Sequence, residues 1–134
     1  MGKHLLAEYY DCNRELLDDA PALSLLLKRA AKAACVSVVG SIEHRFSPHG
    51  VTCVVAIEES HLSLHTWPES GYAAADFFTC GEGLPKEAHR VLLEGLGAGR
   101  TEVMLVHRGN VTGERSIEVM FHSNQERVRG HVTA

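Results

Sequence analysis

The stretch VTCVVAIEESHLSLHTWPESGYAAADFFTC, residues 51 to 80, contains three strand-like segments separated by two short breaks. Val51 to Ile57 is a nearly continuous run of β-branched and apolar residues, which is typical of a buried strand. His61 to His65 alternates polar and apolar side chains with a period of two, as expected for a strand with one buried face. After a turn at Pro68–Gly71, Tyr72 to Thr79 predicts a third strand. The predicted sheet is therefore centred on this stretch.

The segments on either side complete the pattern of strands and helices. Lys3 to Tyr10 predicts a strand, and Leu16 to Ala34 predicts a helix because its apolar residues recur at spacings of three and four. Val36 to Phe46 predicts a further strand. Pro85 to Leu96 predicts a second helix, with proline in its first turn and glycine at its end. Thr101 to His107 is the last predicted strand.

The resulting order, β-α-β-β-β-β-α-β, predicts an α+β fold. We expect a two-layer sandwich in which an antiparallel sheet carries both helices on one face. The other face needs a cover, and a second protomer would supply it in an αββα dimer. Residues 1–109 form the predicted domain, and residues 110–134 are expected to be a polar, partly ordered tail with one apolar island at Ile117–Phe121.

Composition argues against several classes of partner. The chain of 134 residues has a net charge of −4, which disfavours nucleic-acid binding. No apolar run approaches the roughly 18 residues that span a bilayer, and the N-terminal apolar stretch is too short for a signal peptide. The four cysteines form no CxxC pair. We therefore expect a cytoplasmic protein with reduced thiols, no membrane partner and no bound metal.

Three carboxylates, two imidazoles and three hydroxyls lie between Glu58 and Glu69. One interpretation is a metal site on His61 and His65, but on a strand these residues would lie roughly 13 Å apart, too far to share one zinc ion. A second interpretation is a serine hydrolase, but Ser60 is not part of the G-x-S-x-G elbow that such enzymes use.

A third interpretation comes from resemblance. The segments that carry it are GKHLL (2–6), HRFSPHGV (44–51), ESHL (59–62), HTWPE (65–69), GYA (71–73) and FTCG (78–81). Together they closely resemble the bacterial S-adenosylmethionine decarboxylase proenzyme, of the prokaryotic, pyruvoyl-dependent class. The resemblance extends from about Gly2 to Gly109.

The resemblance implies that the chain cleaves itself between Glu59 and Ser60. Residues 1–59 would become the β chain and residues 60–134 the α chain. Ser60 would become a pyruvoyl group, which forms a Schiff base with the substrate amine and accepts the electrons released when CO2 leaves. The implied product is the aminopropyl donor for spermidine and other polyamines.

The resemblance also implies roles for other residues. Cys80 matches the proton donor, His65 matches a residue that assists processing, and Phe46 and Glu69 match substrate-binding residues. The family usually has serine and then glycine where this chain has Thr52-Cys53. Thr52 keeps the hydroxyl that is implied to help processing but adds a methyl group and a stiffer χ1 angle.

Spacing along the strand adds a geometric expectation. Ser60 and His65 are five residues apart, or roughly 16 Å on a regular strand. They cannot act together within one protomer, so we expect His65 to come from a second copy of the chain. The resemblance implies a homodimer in which Phe46, Thr52, His65 and Glu69 face the partner's pyruvoyl group. Two alternatives remain open: a pyruvoyl-dependent arginine or ornithine decarboxylase of the same family, and a regulatory homologue that does not cleave itself.

Overall fold

The structure is a computed structural model that describes residues 2–109, 117–123 and 127–132. The described strands are β1 Gly2–Tyr10, β2 Val38–Arg45, β3 Val51–Ile57, β4 Ser60–Trp67, β5 Tyr72–Cys80, β6 Arg100–Arg108, β7 Ile117–Ser123 and β8 Arg127–Val132. The α-helices are α1 Ala20–Ala33 and α2 Pro85–Gly95, and short 3-10 helices cover Leu16–Asp18 and Pro68–Ser70. All strands pair antiparallel in one sheet, in the order β2-β3-β4-β5-β1-β6-β7-β8.

Both α-helices cover the same face of the sheet. α1 packs against β2, β3 and β4, α2 packs against β1 and β5, and the two helices pack against each other. The apolar stripe of α1 is buried in this interface, with Leu23, Leu27 and Ala30 fully shielded from solvent. The predicted α+β sandwich with helices on one face is confirmed.

Residues on the opposite face of the sheet, which we call the open face, alternate with those of the core. Along β1, Leu5 and Tyr9 are buried, whereas Leu6 is 43% exposed. Leu6 pairs in register with Met104 on β6, which is 40% exposed. The open face thus leaves apolar side chains without cover in a single chain.

The structure differs from the sequence-based prediction at two places. The first helix does not begin at Leu16, because Asp19 adopts an extended conformation and caps α1 by accepting a hydrogen bond from the Ala22 backbone N–H. Residues 110–134, predicted as a tail, contain two further strands, β7 and β8, and the apolar island lies in β7. The domain boundary at residue 109 itself remains a prediction.

Neither helix among the described residues is long and apolar enough to cross a membrane.

Candidate active site

Ser60 lies at the tight turn between β3 and β4. It pairs with Ile57 across the turn, which leaves only Glu58 and Glu59 to reverse the chain. Glu59 has a left-handed backbone with φ of 70°, a conformation that costs a non-glycine residue roughly 1–2 kcal/mol. The Ser60 hydroxyl donates a hydrogen bond to the Glu59 carbonyl oxygen. The hydroxyl is therefore held directly beside the peptide group that precedes it.

Cys80 lies beside Ser60 at the end of β5. Its Sγ atom is 3.4 Å from Ser60 Oγ, and the side chain is half-buried. Cys80 also lines an open cavity of about 550 Å³ together with Gly2, Lys3, Glu59, Gly81, His107 and Arg108. The structure thus brings Ser60 into contact with two other predicted site residues, Glu59 and Cys80, which line the cavity.

Thr52 and His65 form a second pair on the open face. They are direct partners in the β3–β4 ladder, and Thr52 Oγ1 shares a hydrogen bond of 3.0 Å with His65 Nδ1. The neighbouring Cys53 is fully buried on the helix-covered face, and burial raises the pKa of its thiol. The departure from the family pattern at Cys53 therefore concerns the core, whereas the Thr52 hydroxyl contacts the histidine.

Phe46 lies on the loop between β2 and β3, and Glu69 lies in the 3-10 helix after β4, both at the same end of the sheet as the Thr52–His65 pair. Phe46 is 48% exposed and stacks edge-on against His44 with ring centroids 4.6 Å apart. Glu69 Oε2 lies 3.1 Å from Nε2 of His49, and this contact connects the 3-10 helix to the loop that carries Phe46. Exposed aromatic and acidic groups in this position are available to a ligand.

Asp18 holds the loop that carries Phe46. Its carboxylate accepts hydrogen bonds from the Gly50 backbone N–H at 2.9 Å and from Arg45 Nη2 at 2.6 Å. The Gly50 hydrogen bond, followed by that of Arg45, lowers the pKa of Asp18. The loop from residue 45 to residue 50 is thereby tied to the chain just before α1.

The predicted site residues therefore form two separate groups within one chain. The first, which we call the cleavage group, contains Glu59, Ser60 and Cys80. The second, the acceptor group, contains Phe46, Thr52, His65 and Glu69. Ser60 and His65 lie in the same continuous strand, β4, so five residues place them about 16 Å apart.

A partly buried hydrogen-bond network on the open face joins residues that are distant in sequence. Asp76 Oδ2 accepts hydrogen bonds from His4 Nε2 at 2.6 Å and from His61 Nε2 at 2.9 Å, and Asp76 Oδ1 accepts one from Ser63. Burial raises the pKa of Asp76, but these three hydrogen bonds outweigh it and leave the pKa below its ordinary value. The sequence alone does not predict this network, because only the strand register brings its members together.

Arg108 extends the network to the cavity. Its Nη1 atom donates to His4 Nδ1 at 3.0 Å, and arginine has no acceptor, so His4 carries its proton on Nε2 and directs it to Asp76. This tautomer does not offer the Nε2 lone pair to a cation, although His4, His61 and Asp76 lie close enough for shared ligation. The hydrogen bonds of His4 to Asp76 and Arg108 instead hold the Arg108 side chain in one orientation.

We expect Asp76→Asn to reduce the stability of the protein in a pH-dependent manner. The folded-state pKa of Asp76 is lowered, so its stabilising contribution is complete above the ordinary carboxyl pKa of about 4 and is lost as the pH falls further. An asparagine cannot accept all three hydrogen bonds, and we expect a loss of about 1–3 kcal/mol at pH 7. Urea unfolding at pH 7 and at pH 3 measures the effect.

The exposed Glu94→Gln on α2 is the matched control and should change the free energy of unfolding by less than about 0.5 kcal/mol. If Asp76→Asn lowered the free energy of unfolding by the same amount at pH 7 and at pH 3, the expectation would be wrong.

Comparison with known proteins agrees with the architecture and with the sequence motifs. Residues 3–109 match the protein-family model described as S-adenosylmethionine decarboxylase. The S-adenosylmethionine decarboxylase proenzyme of Thermotoga maritima is 48% identical over 110 residues, which cover 81% of this chain and 85% of the relative. The proenzyme of the same name from Methanococcus maripaludis is 44% identical over 81% of this chain and 90% of its own length.

A solved structure gives the same result. The crystal structure of the adenosylmethionine decarboxylase from Aquifex aeolicus VF5 superposes with a TM-score of 0.74 and 36% sequence identity, covering 85% of this chain and 95% of that one. The family model matches residues 3–109, which contain nearly all of the motifs that suggested the resemblance. The resemblance is thereby confirmed. The chain belongs to the S-adenosylmethionine decarboxylase family.

Proposed function

We propose that this chain is a proenzyme that cleaves itself between Glu59 and Ser60 and then decarboxylates S-adenosylmethionine with the pyruvoyl group left at residue 60. The product would be the aminopropyl donor for spermidine synthesis. The observation that carries the proposal is the placement of Ser60, whose hydroxyl contacts the Glu59 carbonyl oxygen and lies 3.4 Å from Cys80 Sγ.

The geometry of the turn supports self-cleavage. In the proposed step, Ser60 Oγ attacks the Glu59 carbonyl carbon, the C–N bond breaks, and an ester replaces the peptide bond. Elimination of the ester frees the Glu59 carboxylate, and hydrolysis of the remaining dehydroalanine releases ammonia and leaves the pyruvoyl group. The left-handed backbone at Glu59 favours this direction, because cleavage removes the constraint that holds the residue in that conformation.

The remaining residues have roles that match their chemistry. The pyruvoyl group supplies an electron-withdrawing carbonyl to the substrate amine. Cys80 is placed beside residue 60 to return a proton to the substrate carbon after CO2 leaves. In the acceptor group, the hydrogen-bonded Thr52 and His65 provide a proton-transfer pair for processing. Phe46 offers an aromatic face to adenine and the sulfonium, and Glu69 offers a carboxylate to the ribose hydroxyls.

The names of the relatives support S-adenosylmethionine over arginine or ornithine as the substrate. Both curated relatives and the solved structure described above are named for S-adenosylmethionine or adenosylmethionine. The direct test is release of labelled CO2 from carboxyl-labelled S-adenosylmethionine, arginine and ornithine by the purified protein. We expect release from S-adenosylmethionine alone; release only from arginine or ornithine would refute the proposed substrate.

The separation of the two groups of site residues supports a homodimer. About 16 Å of strand lies between Ser60 and His65, so a complete site needs the acceptor group of a second chain. The apolar side chains of Leu6 and Met104 on the open face provide a surface for that chain to cover. We therefore propose an αββα dimer with two sites, each built from both protomers.

Co-expression of two inactive variants tests the shared site. Neither Ser60→Ala nor His65→Ala homodimers should process normally, because every site carries one lesion. In a mixed dimer, one site combines the normal Ser60 of the His65→Ala chain with the normal His65 of its partner. With random pairing, about half of the His65→Ala chains should then be cleaved, as measured on a denaturing gel. If mixed dimers form and no cleavage is recovered, the shared site is wrong.

A further inference from the structure

The cavity beside Cys80 is lined by an excess of basic side chains. Lys3, His107 and Arg108 line it, and the one acidic residue among the described lining residues is Glu59. Lys3 pairs with His107 on the helix-covered face, as the alternation with buried Leu5 and Leu105 requires, whereas Arg108 pairs with Gly2 on the open face, so the basic side chains meet the cavity from both faces of the sheet. The cavity is therefore suited to an anionic group.

The register also sets the distance between Arg108 and Cys80. Gly2 pairs with Cys80 on one side and with Arg108 on the other, so the last two residues are separated by two strand spacings, roughly 10 Å between Cα atoms. The Phe78 ring covers Gly2 between these two residues, since a Cβ atom on Gly2 would lie 2.4 Å from the ring. Arg108 and Cys80 nevertheless line the same cavity, so a small group bound there can approach both side chains.

Arg108 is held in place, although it is exposed. Its Nη1 atom donates to His4 Nδ1 at 3.0 Å, and its guanidinium carbon lies 4.7 Å from the centre of the Phe78 ring. His4 is in turn fixed by Asp76 at 2.6 Å. A guanidinium ordered in this manner loses less conformational freedom when it binds a carboxylate, and its planar donors match the two carboxylate oxygens.

We propose that Arg108 forms the subsite that binds the α-carboxylate of the substrate. The inference rests on the proposed function. Cys80 returns a proton to the carbon that loses CO2, so this carbon lies in the cavity that Cys80 lines, and the carboxylate is one bond away from it. Binding at Arg108 would orient the bond that breaks and would distinguish the amino-acid substrate from its amine product, which has no carboxylate.

A second carboxylate exists in the same cavity after maturation. Cleavage after Glu59 creates a new C-terminal carboxylate on a residue that lines the cavity. If Arg108 bound that terminus instead of the substrate, replacing Arg108 would change the binding of S-adenosylmethionine and of decarboxylated S-adenosylmethionine by the same factor. The two sources are therefore separable by experiment.

The experiment compares Arg108→Gln with the matched control Arg100→Gln. Arg100 is on the same strand and also lies over an aromatic ring, 3.8 Å from the centre of Tyr10, but it pairs with Tyr10 at the opposite end of β1. For each processed protein, KM is measured for S-adenosylmethionine, and Kd is measured by calorimetry for decarboxylated S-adenosylmethionine. Cleavage is followed on a denaturing gel.

We expect Arg108→Gln to cleave itself and to show a KM for S-adenosylmethionine raised at least about tenfold, the effect of losing a charge-assisted hydrogen bond. Its Kd for the decarboxylated product should stay within about twofold of the unmodified value, and Arg100→Gln should change neither constant. Equal changes in both constants, no change in either, or failure of Arg108→Gln to cleave would overturn the subsite. Lack of cleavage or activity in the unmodified protein would instead refute the proposed function.

Discussion

Replacing Ser60 by alanine should leave the protein as a single uncleaved chain without decarboxylase activity. The proposed cleavage needs an oxygen nucleophile beside the Glu59 carbonyl, and the Ser60 hydroxyl is the group that contacts it. Alanine removes this oxygen, so neither the new chain end nor the pyruvoyl group can form. A denaturing gel and an assay of CO2 release measure both consequences.

The matched control is Ser70→Ala, which removes an exposed hydroxyl from the 3-10 helix after β4. This variant should cleave and decarboxylate as the unmodified protein does. An uncleaved Ser60→Ala protein that still released CO2 would contradict the mechanism.

Replacing Cys80 by alanine should separate processing from decarboxylation. Cys80 Sγ lies 3.4 Å from Ser60 Oγ, but the proposed nucleophilic attack uses the hydroxyl, so we expect cleavage to continue. Loss of a positioned proton donor typically reduces the rate by about 10²–10⁴-fold, and we expect kcat to fall within this range.

The chemical signature of this variant should be a change at residue 60. Without the donor, the proton is delivered to the wrong carbon, the substrate amine nitrogen stays on residue 60, and hydrolysis releases the rest of the substrate as an aldehyde. Mass spectrometry should then find alanine at the N-terminus of the 60–134 chain after turnover. The exposed Cys35→Ala is the control and should keep normal turnover. Unchanged turnover in Cys80→Ala would show that Cys80 lines the cavity but does not donate the proton.

The sequence predicts the central part of the fold well because the relevant patterns are local. The alternation at residues 61–65 and the β-branched run at 51–57 both mark strands that the structure contains as β4 and β3. The start of α1 was less predictable, since the apolar residues before Asp19 continue the pattern and only the capping geometry ends it. β7 and β8 were missed because the residues around the island at 117–121 are polar.

The candidate site could be predicted only in part for a similar reason. Motifs identify residues that are close in sequence, such as Glu59 and Ser60, and spacing on one strand correctly separates Ser60 from His65. The contacts of Arg108 with His4, and of His4 with Asp76, join residues 104 and 72 positions apart. They depend on the order of β5, β1 and β6 in the sheet, which the pattern of apolar residues does not specify.

The most direct test of self-cleavage is the intact mass of the purified, unmodified protein. We expect two chains whose masses correspond to residues 1–59 and 60–134, with the second chain lighter than its serine-started form by one molecule of ammonia. A loss of one ammonia is the mass change expected when Ser60 becomes a pyruvoyl group. A single species with the mass of the full 134-residue chain would contradict the account.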